Sequence, residues 1–183
     1  MVRGSRKMSG STERPERRRG ALFNILLVCT GNTCRSPMAA GVLEGLIPRK
    51  LARKVRIESA GVGAQEGGFA SSNAIEVSKR RGIDISGHTS KRLTRELLEA
   101  ADLILVMQKL HMEEVRKLCP SRTEHTLLLT ELEDNPGADT QEIADPCGGS
   151  EDVYEQCLTQ IQRSLEKGIG FLVELIKSKE GSR

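Results

Sequence analysis

Leu22-Phe23-Asn24-Ile25-Leu26-Leu27-Val28 runs directly into Cys29-Thr30-Gly31-Asn32-Thr33-Cys34-Arg35-Ser36-Pro37. An apolar run of this length, closed by a small polar loop, reads as a buried strand. Proline suits a helix's first turn, where its missing N–H would be unpaired anyway. The stretch therefore predicts strand, tight loop and helix. The residues between Cys29 and Arg35 are enough to curl a backbone around one tetrahedral oxyanion, with loop N–H groups and the helix N-terminus aimed at its oxygens. Arg35 adds a planar fork for two of those oxygens. The same positive field is expected to lower the pKa of Cys29, and Ser36 is placed to donate a hydrogen bond to its sulfur. A thiolate beneath a bound phosphoryl group is a nucleophile aimed at phosphorus.

Outward from this stretch, strand and helix patterns alternate. The expected strands are 22–28, 55–59, 102–107 and 126–129, and the expected helices are 36–46, 71–81, 94–100, 110–118 and 151–177. Thr94 is a plausible N-cap for the third helix. The last helix shows an apolar stripe of Val153, Cys157, Ile161, Leu165, Ile169, Leu172 and Ile176. Between it and the fourth strand, 131–150 reads as a long polar loop holding Asn135-Pro136-Gly137 and Asp145-Pro146. Such alternation implies an α/β domain, a four-stranded parallel sheet flanked by helices on both faces. Sheets of this kind bind ligands at the carboxyl ends of their strands, where 29–35 sits.

The 183 residues suit one domain, 21–178, between a basic tail at 1–20 and a short tail at 179–183. Residues 1–20 hold seven Lys/Arg and two Glu, so the tail carries +5 and the remainder −2 of the total of +3. The tail is expected to be disordered. No RNA-binding motif or set of stacking aromatics accompanies it, so no nucleic-acid partner is expected. No apolar run approaches a membrane span, and 22–28 lacks the small-residue cleavage site of a signal peptide. Five cysteines at 29, 34, 119, 147 and 157, odd in number and irregular in spacing, argue for a reducing, cytoplasmic compartment. The histidines at 88, 111 and 125 pair with no cysteine at zinc spacing. Neither a metal nor a cofactor is called for, and a monomer is expected.

Two loop residues read in more than one way. Cys34 is either a small buried side chain or a resolving thiol that traps oxidised Cys29 as a disulfide. Asn32 either pins the loop through side-chain hydrogen bonds or supplies a left-handed backbone turn.

The chain resembles the low-molecular-weight protein tyrosine phosphatases, and within them the bacterial protein-arginine phosphatases. The residues that carry the resemblance are Val28 to Ala39, Ser59-Ala60-Gly61, Gly87-His88-Thr89-Ser90-Lys91-Arg92-Leu93, Ala101 to Leu105, and Asp145-Pro146 followed by Gly148-Gly149. The resemblance implies a flavodoxin-like fold and a cysteinyl-phosphate intermediate. Cys29 would be the nucleophile, and Thr30, Gly31, Asn32, Thr33, Cys34 and Arg35 the phosphate cradle. Asp145 would be the acid that protonates the leaving group and later activates water. It also makes Thr33 the selector of substrate, since arginine-directed members carry threonine there and tyrosine-directed members a bulkier aliphatic residue. A hydroxyl can bond a guanidinium N–H, whereas a branched aliphatic would crowd it.

Composition bears on the same choice. Phe23, Phe69, Tyr154 and Phe171 are the only aromatics, and only Phe69 falls in a loop able to flank a phenyl ring. The chain departs from the family at Cys147, where an aromatic often follows Asp-Pro, and at Ala40, where glutamate is common. Phosphoarginine in proteins is thus the expected substrate, with phosphotyrosine the alternative and stress signalling the implied setting. An arsenate reductase is disfavoured because Cys119, Cys147 and Cys157 are too scattered for a disulfide relay. A module that only binds phosphate would need neither a nucleophile nor an acid.

Overall fold

The computed structural model describes residues 22–133 and 141–181. The basic tail and Asn135-Pro136-Gly137 lie outside them. Four parallel strands form one sheet: β1 (Phe23–Cys29), β2 (Val55–Gly61), β3 (Leu103–Val106) and β4 (Thr126–Leu128), in the order β2-β1-β3-β4. The helices are α1 (Arg35–Leu46), α2 (Ser72–Arg80), α3 (Arg95–Ala100), α4 (Lys109–Leu118) and α5 (Glu151–Gly181). Alternation along the central strands sorts the core into two layers. Ile25, Leu27, Leu103 and Leu105 face α1 and α5, while Leu26, Val28, Ile104 and Val106 face α3 and α4 residues such as Leu98 and Val115. The sheet is covered on both faces, which is why the central strands β1 and β3 read as near-continuous apolar runs, whereas the edge strand β2 alternates apolar and polar residues in its first half.

Caps set several boundaries. The Leu97 N–H donates to Thr94 Oγ1 at 3.3 Å, so Thr94 starts α3 as expected. Ser71 starts α2 by accepting from the Ala74 N–H at 3.3 Å.

The structure corrects the expectations in several places. β1 extends through Cys29, so the sulfur sits on the last strand residue. Two 3-10 segments, Pro120–His125 and Leu129–Leu132, replace parts that read as loop or strand. Helix α5 continues to Gly181, so 179–181 belong to it and not to a tail; Lys179 Nζ is tied to Asp102 at 2.5 Å and to the Leu22 carbonyl at 2.9 Å. Val153 is exposed, and the buried stripe of α5 runs instead through Tyr154, Cys157, Leu158, Ile161, Leu165, Leu172 and Ile176. The 3.6-residue period carries Tyr154 inward while Val153 remains at the solvent edge of the first turn.

The connections leave β1 in opposite senses, to β2 on one side and later to β3 on the other. The crevice at the carboxyl ends of β1 and β3 is therefore where this topology places a ligand. Residues 29–35 fill its floor.

Candidate active site

Asn32 organises the loop. It is fully buried and its φ of 54° is left-handed, the lone such non-glycine residue among those described. Asparagine tolerates that conformation. Its Nδ2 donates to Ser36 Oγ at 2.8 Å and to Ser59 Oγ at 2.9 Å, and its Oδ1 accepts from the Lys91 N–H at 2.9 Å. His88 Nε2 donates to its carbonyl at 2.7 Å. Both readings of Asn32 hold at once, because the pins keep the strained backbone in place. Gly61 lies directly beneath: a Cβ there would come within 2.5 Å of the Thr30 carbonyl and 2.8 Å of the Asn32 nitrogen.

Cys29 Sγ faces this turn. It accepts from the Asn32 N–H at 3.2 Å and lies 3.0 Å from Ser36 Oγ. Since Ser36 Oγ already accepts from Asn32, its hydroxyl hydrogen is available to the sulfur. Burial pushes the Cys29 thiol up from its ordinary value, against the Ser36 hydroxyl and N–H, the Arg35 charge and the Asn32 N–H, which all pull it down. The expected net lowering is therefore not found; desolvation of a sulfur that is 2% exposed outweighs the positive field.

Arg35 is buried in the first turn of α1 and has four acceptors. One terminal nitrogen donates to Gln108 Oε1 at 2.6 Å and to the Ile143 carbonyl at 3.2 Å. The other donates to Thr30 Oγ1 at 3.2 Å and pairs with Asp145 Oδ2. The 141–147 segment is tied down on both sides of the acid. The Ile143 side chain is fully buried, with its N–H on the Met107 carbonyl at 3.0 Å. Glu142 Oε1 accepts from the Lys109 N–H at 2.8 Å, and Asp145 Oδ1 from the Cys147 N–H at 3.1 Å. The fold thus joins Cys29, Arg35 and Asp145 at one crevice.

Cys34 is buried behind the loop, 3.2 Å from Ser71 Oγ and 3.4 Å from the Tyr154 hydroxyl. Burial, with the Cys34 contact next, pushes Tyr154 up to about 12. Thr33 is half-buried at the rim, its carbonyl accepting from the Ser71 N–H at 2.9 Å. Phe69, two residues before Ser71, is 73% exposed. Among the described residues no cluster of three or more His, Cys, Asp or Glu could hold a metal ion, and no helix is long and apolar enough to cross a membrane.

No site role was read from sequence for Gln108, His111, His88, Ser59, Ser71 or Tyr154, although the histidines were weighed as metal ligands and Tyr154 among the aromatics. Ser59 and His88 stood inside stretches that carried the resemblance. Gln108 and His111 had only the spacing of a reciprocal cap across a helix start.

The sequence matches the family described as "Low molecular weight phosphotyrosine protein phosphatase" over residues 24–180. The chain belongs to this family. It is a protein phosphatase of that group, with the group's flavodoxin-like fold. Its relatives carry both substrate names. It is 39% identical over 142 residues to a "Probable low molecular weight protein-tyrosine-phosphatase" of Ralstonia nicotianae, covering 78% of this chain and 90% of the relative. It is 37% identical over 145 residues to a protein-arginine-phosphatase of Geobacillus stearothermophilus, covering 79% and 93%. The solved arginine phosphatase from Geobacillus stearothermophilus superposes with a TM-score of 0.74 at 34% identity, covering 85% of this chain and 96% of that one.

Proposed function

We propose that the protein hydrolyses phosphoarginine residues in proteins through a cysteinyl-phosphate at Cys29. Cys29 Sγ stands at the floor of the loop, beneath the place where the loop N–H groups and Arg35 would hold a phosphoryl group. A buried thiol becomes a nucleophile here by giving its proton to the incoming phosphoryl dianion, leaving thiolate and monoanion with no net change in charge. Sulfur then attacks phosphorus, the P–N bond breaks, and Asp145 supplies the proton the leaving guanidine nitrogen needs. Asp145, now a carboxylate, takes a proton from a water molecule that attacks phosphorus. The S–P bond breaks, releasing phosphate and restoring Cys29.

The observation that carries the substrate reading is at Thr33. Its hydroxyl has a single hydrogen-bond contact among the described residues, a long 3.6 Å one to Cys34 Sγ. Thr33 Oγ1 is therefore able to accept a guanidinium N–H at the loop's rim, which a phenyl ring does not offer. Phosphotyrosine is the second reading. Phe69 favours it, as an exposed aromatic whose backbone is bridged to Thr89 and which lies close in sequence to Ser71. The relatives' names support both readings equally.

The deciding experiment compares kcat/KM for a phosphoarginine peptide and a matched phosphotyrosine peptide under reducing conditions, with Cys29→Ser as control. Tenfold or greater preference for phosphoarginine, about 1.4 kcal/mol in transition-state binding, supports the proposal. The reverse preference returns the protein to phosphotyrosine. Turnover surviving in Cys29→Ser removes the nucleophile assignment.

A further inference from the structure

His111 lies fully buried in the first turn of α4, beside the loop but outside every residue assigned to catalysis above. Its two ring nitrogens have different partners. Nδ1 lies 3.1 Å from the Gln108 N–H. A backbone N–H can only donate, so Nδ1 must present its lone pair. Nε2 lies 2.9 Å from Thr30 Oγ1. In a neutral ring with Nδ1 unprotonated, the hydrogen is on Nε2 and is donated to Thr30.

Thr30 Oγ1 also accepts from Arg35 at 3.2 Å. A hydroxyl oxygen has two lone pairs and one hydrogen. With His111 and Arg35 on the lone pairs, Thr30 can only donate, and its hydrogen points away from both. Thr30 is the first residue of the oxyanion loop and its side chain is exposed. No acceptor for this hydrogen is found among the described residues, so it is left for an oxygen of a group seated in that loop.

We propose that His111 is a positioning residue, setting the Thr30 hydroxyl as a donor to the bound phosphoryl group while the same oxygen steadies Arg35. The two rim threonines then have opposite polarity: Thr30 gives a hydrogen bond to the phosphoryl side and Thr33 keeps a lone pair for the leaving-group side. Helix α4 supplies the rigidity, because the contact that starts the helix also fixes the imidazole tautomer. Burial, then the Arg35 charge, hold His111 down to about 4, against Asp145 and Glu142, which pull it up. The ring is thus neutral, and both contacts stand, across the neutral pH range. This inference rests on the reading of 29–35 as a phosphate loop, but not on which phosphorylated side chain is the substrate.

The test is a double-mutant cycle of Thr30→Val and His111→Leu on p-nitrophenyl phosphate, which does not depend on protein-substrate preference. Each variant should lower kcat/KM about tenfold, and the pair should lose little more than either alone, because His111 acts through the hydroxyl that Thr30→Val removes. His111→Gln, whose amide N–H can replace Nε2–H, should recover most of the loss. Long-range proton–nitrogen NMR of the full chain should show a neutral His111 protonated at Nε2, with that signal shifted in Thr30→Val. A hundredfold loss in the double variant, an unaffected Thr30→Val, or a ring protonated at Nδ1 each overturns the proposal. Should His111→Leu fail to fold, Thr30→Val and the NMR tautomer still decide. Activity surviving Cys29→Ser would instead strike at the phosphate-loop reading itself.

Discussion

Arg35 and Asp145, 110 positions apart, pair at the mouth of the loop, the cation 1% exposed and the carboxylate 41%. The asymmetry separates their roles. Arg35 is buried with four acceptors around its two terminal nitrogens, whereas Asp145 stands at the solvent edge, the position the proposed acid role requires.

Asp145→Asn keeps the shape and removes the acid. On the peptide substrate kcat should fall by about 10²-fold or more. p-Nitrophenyl phosphate, whose leaving group departs without a proton, should retain most of its initial burst. Equal losses on the two substrates, measured by stopped-flow and steady-state assays, would reject the acid role.

Thr33→Ile replaces the rim hydroxyl with a branched aliphatic group. The ratio of kcat/KM for phosphoarginine over phosphotyrosine should drop by about tenfold or more, the size expected for a lost hydrogen bond to a charged group. An unchanged ratio means that Thr33 does not select the substrate.

On the resolving-thiol reading, Cys34 should let the enzyme survive oxidation. Peroxide converts Cys29 to a sulfenic acid; attack by Cys34 releases water and leaves a disulfide that dithiothreitol reduces. Wild type should then regain most of its activity and Cys34→Ser little, the rest being lost to irreversible oxidation. Equal recovery of both proteins would assign Cys34 a packing role against Ser71 and Tyr154.

Gly61→Ala tests the seat of the loop. The added Cβ would meet backbone atoms of Thr30 and Asn32, which cannot rotate away as a side chain could. Inhibition by inorganic phosphate should weaken about tenfold or more while the circular dichroism spectrum stays native. Unchanged inhibition would show that the loop tolerates displacement.

Stability should fall on both sides of neutrality. Above pH 6.5 neither folded nor unfolded His111 holds a proton. As pH drops through 6.5 the unfolded chain takes one up that the native ring refuses until about 4, so stability declines across that window. The full loss amounts to about 3 kcal/mol. Half-buried His88, also held down by burial, adds in the same direction. On the alkaline side Cys29 is raised above 9.0, Cys157 is raised from 9.0 to about 12 and Tyr154 from 10.0 to about 12. The unfolded chain loses these protons first, so stability also declines as pH rises past 9. Urea midpoints measured from pH 4 to 10 should trace this dome, and His111→Gln should flatten its acid side.

Much of this was written locally. An apolar run, a short polar turn and a proline read as strand, loop and helix because each signal spans only a few residues. Thr94 and the β1 and β3 runs are legible for the same reason. Cys29, Arg35 and Ser36 lie within eight positions of one another, so one turn of backbone fixes their relation. The end of α5 and the 3-10 segments were less legible, since they depend on what the helix packs against and on how short connections tighten.

The sequence by itself determined the α/β alternation and the strand, loop and helix that carry Cys29, Arg35 and Ser36. Only the tertiary structure decided what surrounds them. Asn32 is held by Ser59, Lys91 and His88 from two other segments. Arg35 meets Gln108, Ile143 and Asp145 from beyond β3. His111 reaches Thr30 across 81 positions. The thiol of Cys29 illustrates the physical reason. Its hydrogen bonds are local and foreseeable, but burial is set by every chain segment that closes over it, and there desolvation outweighs the local field.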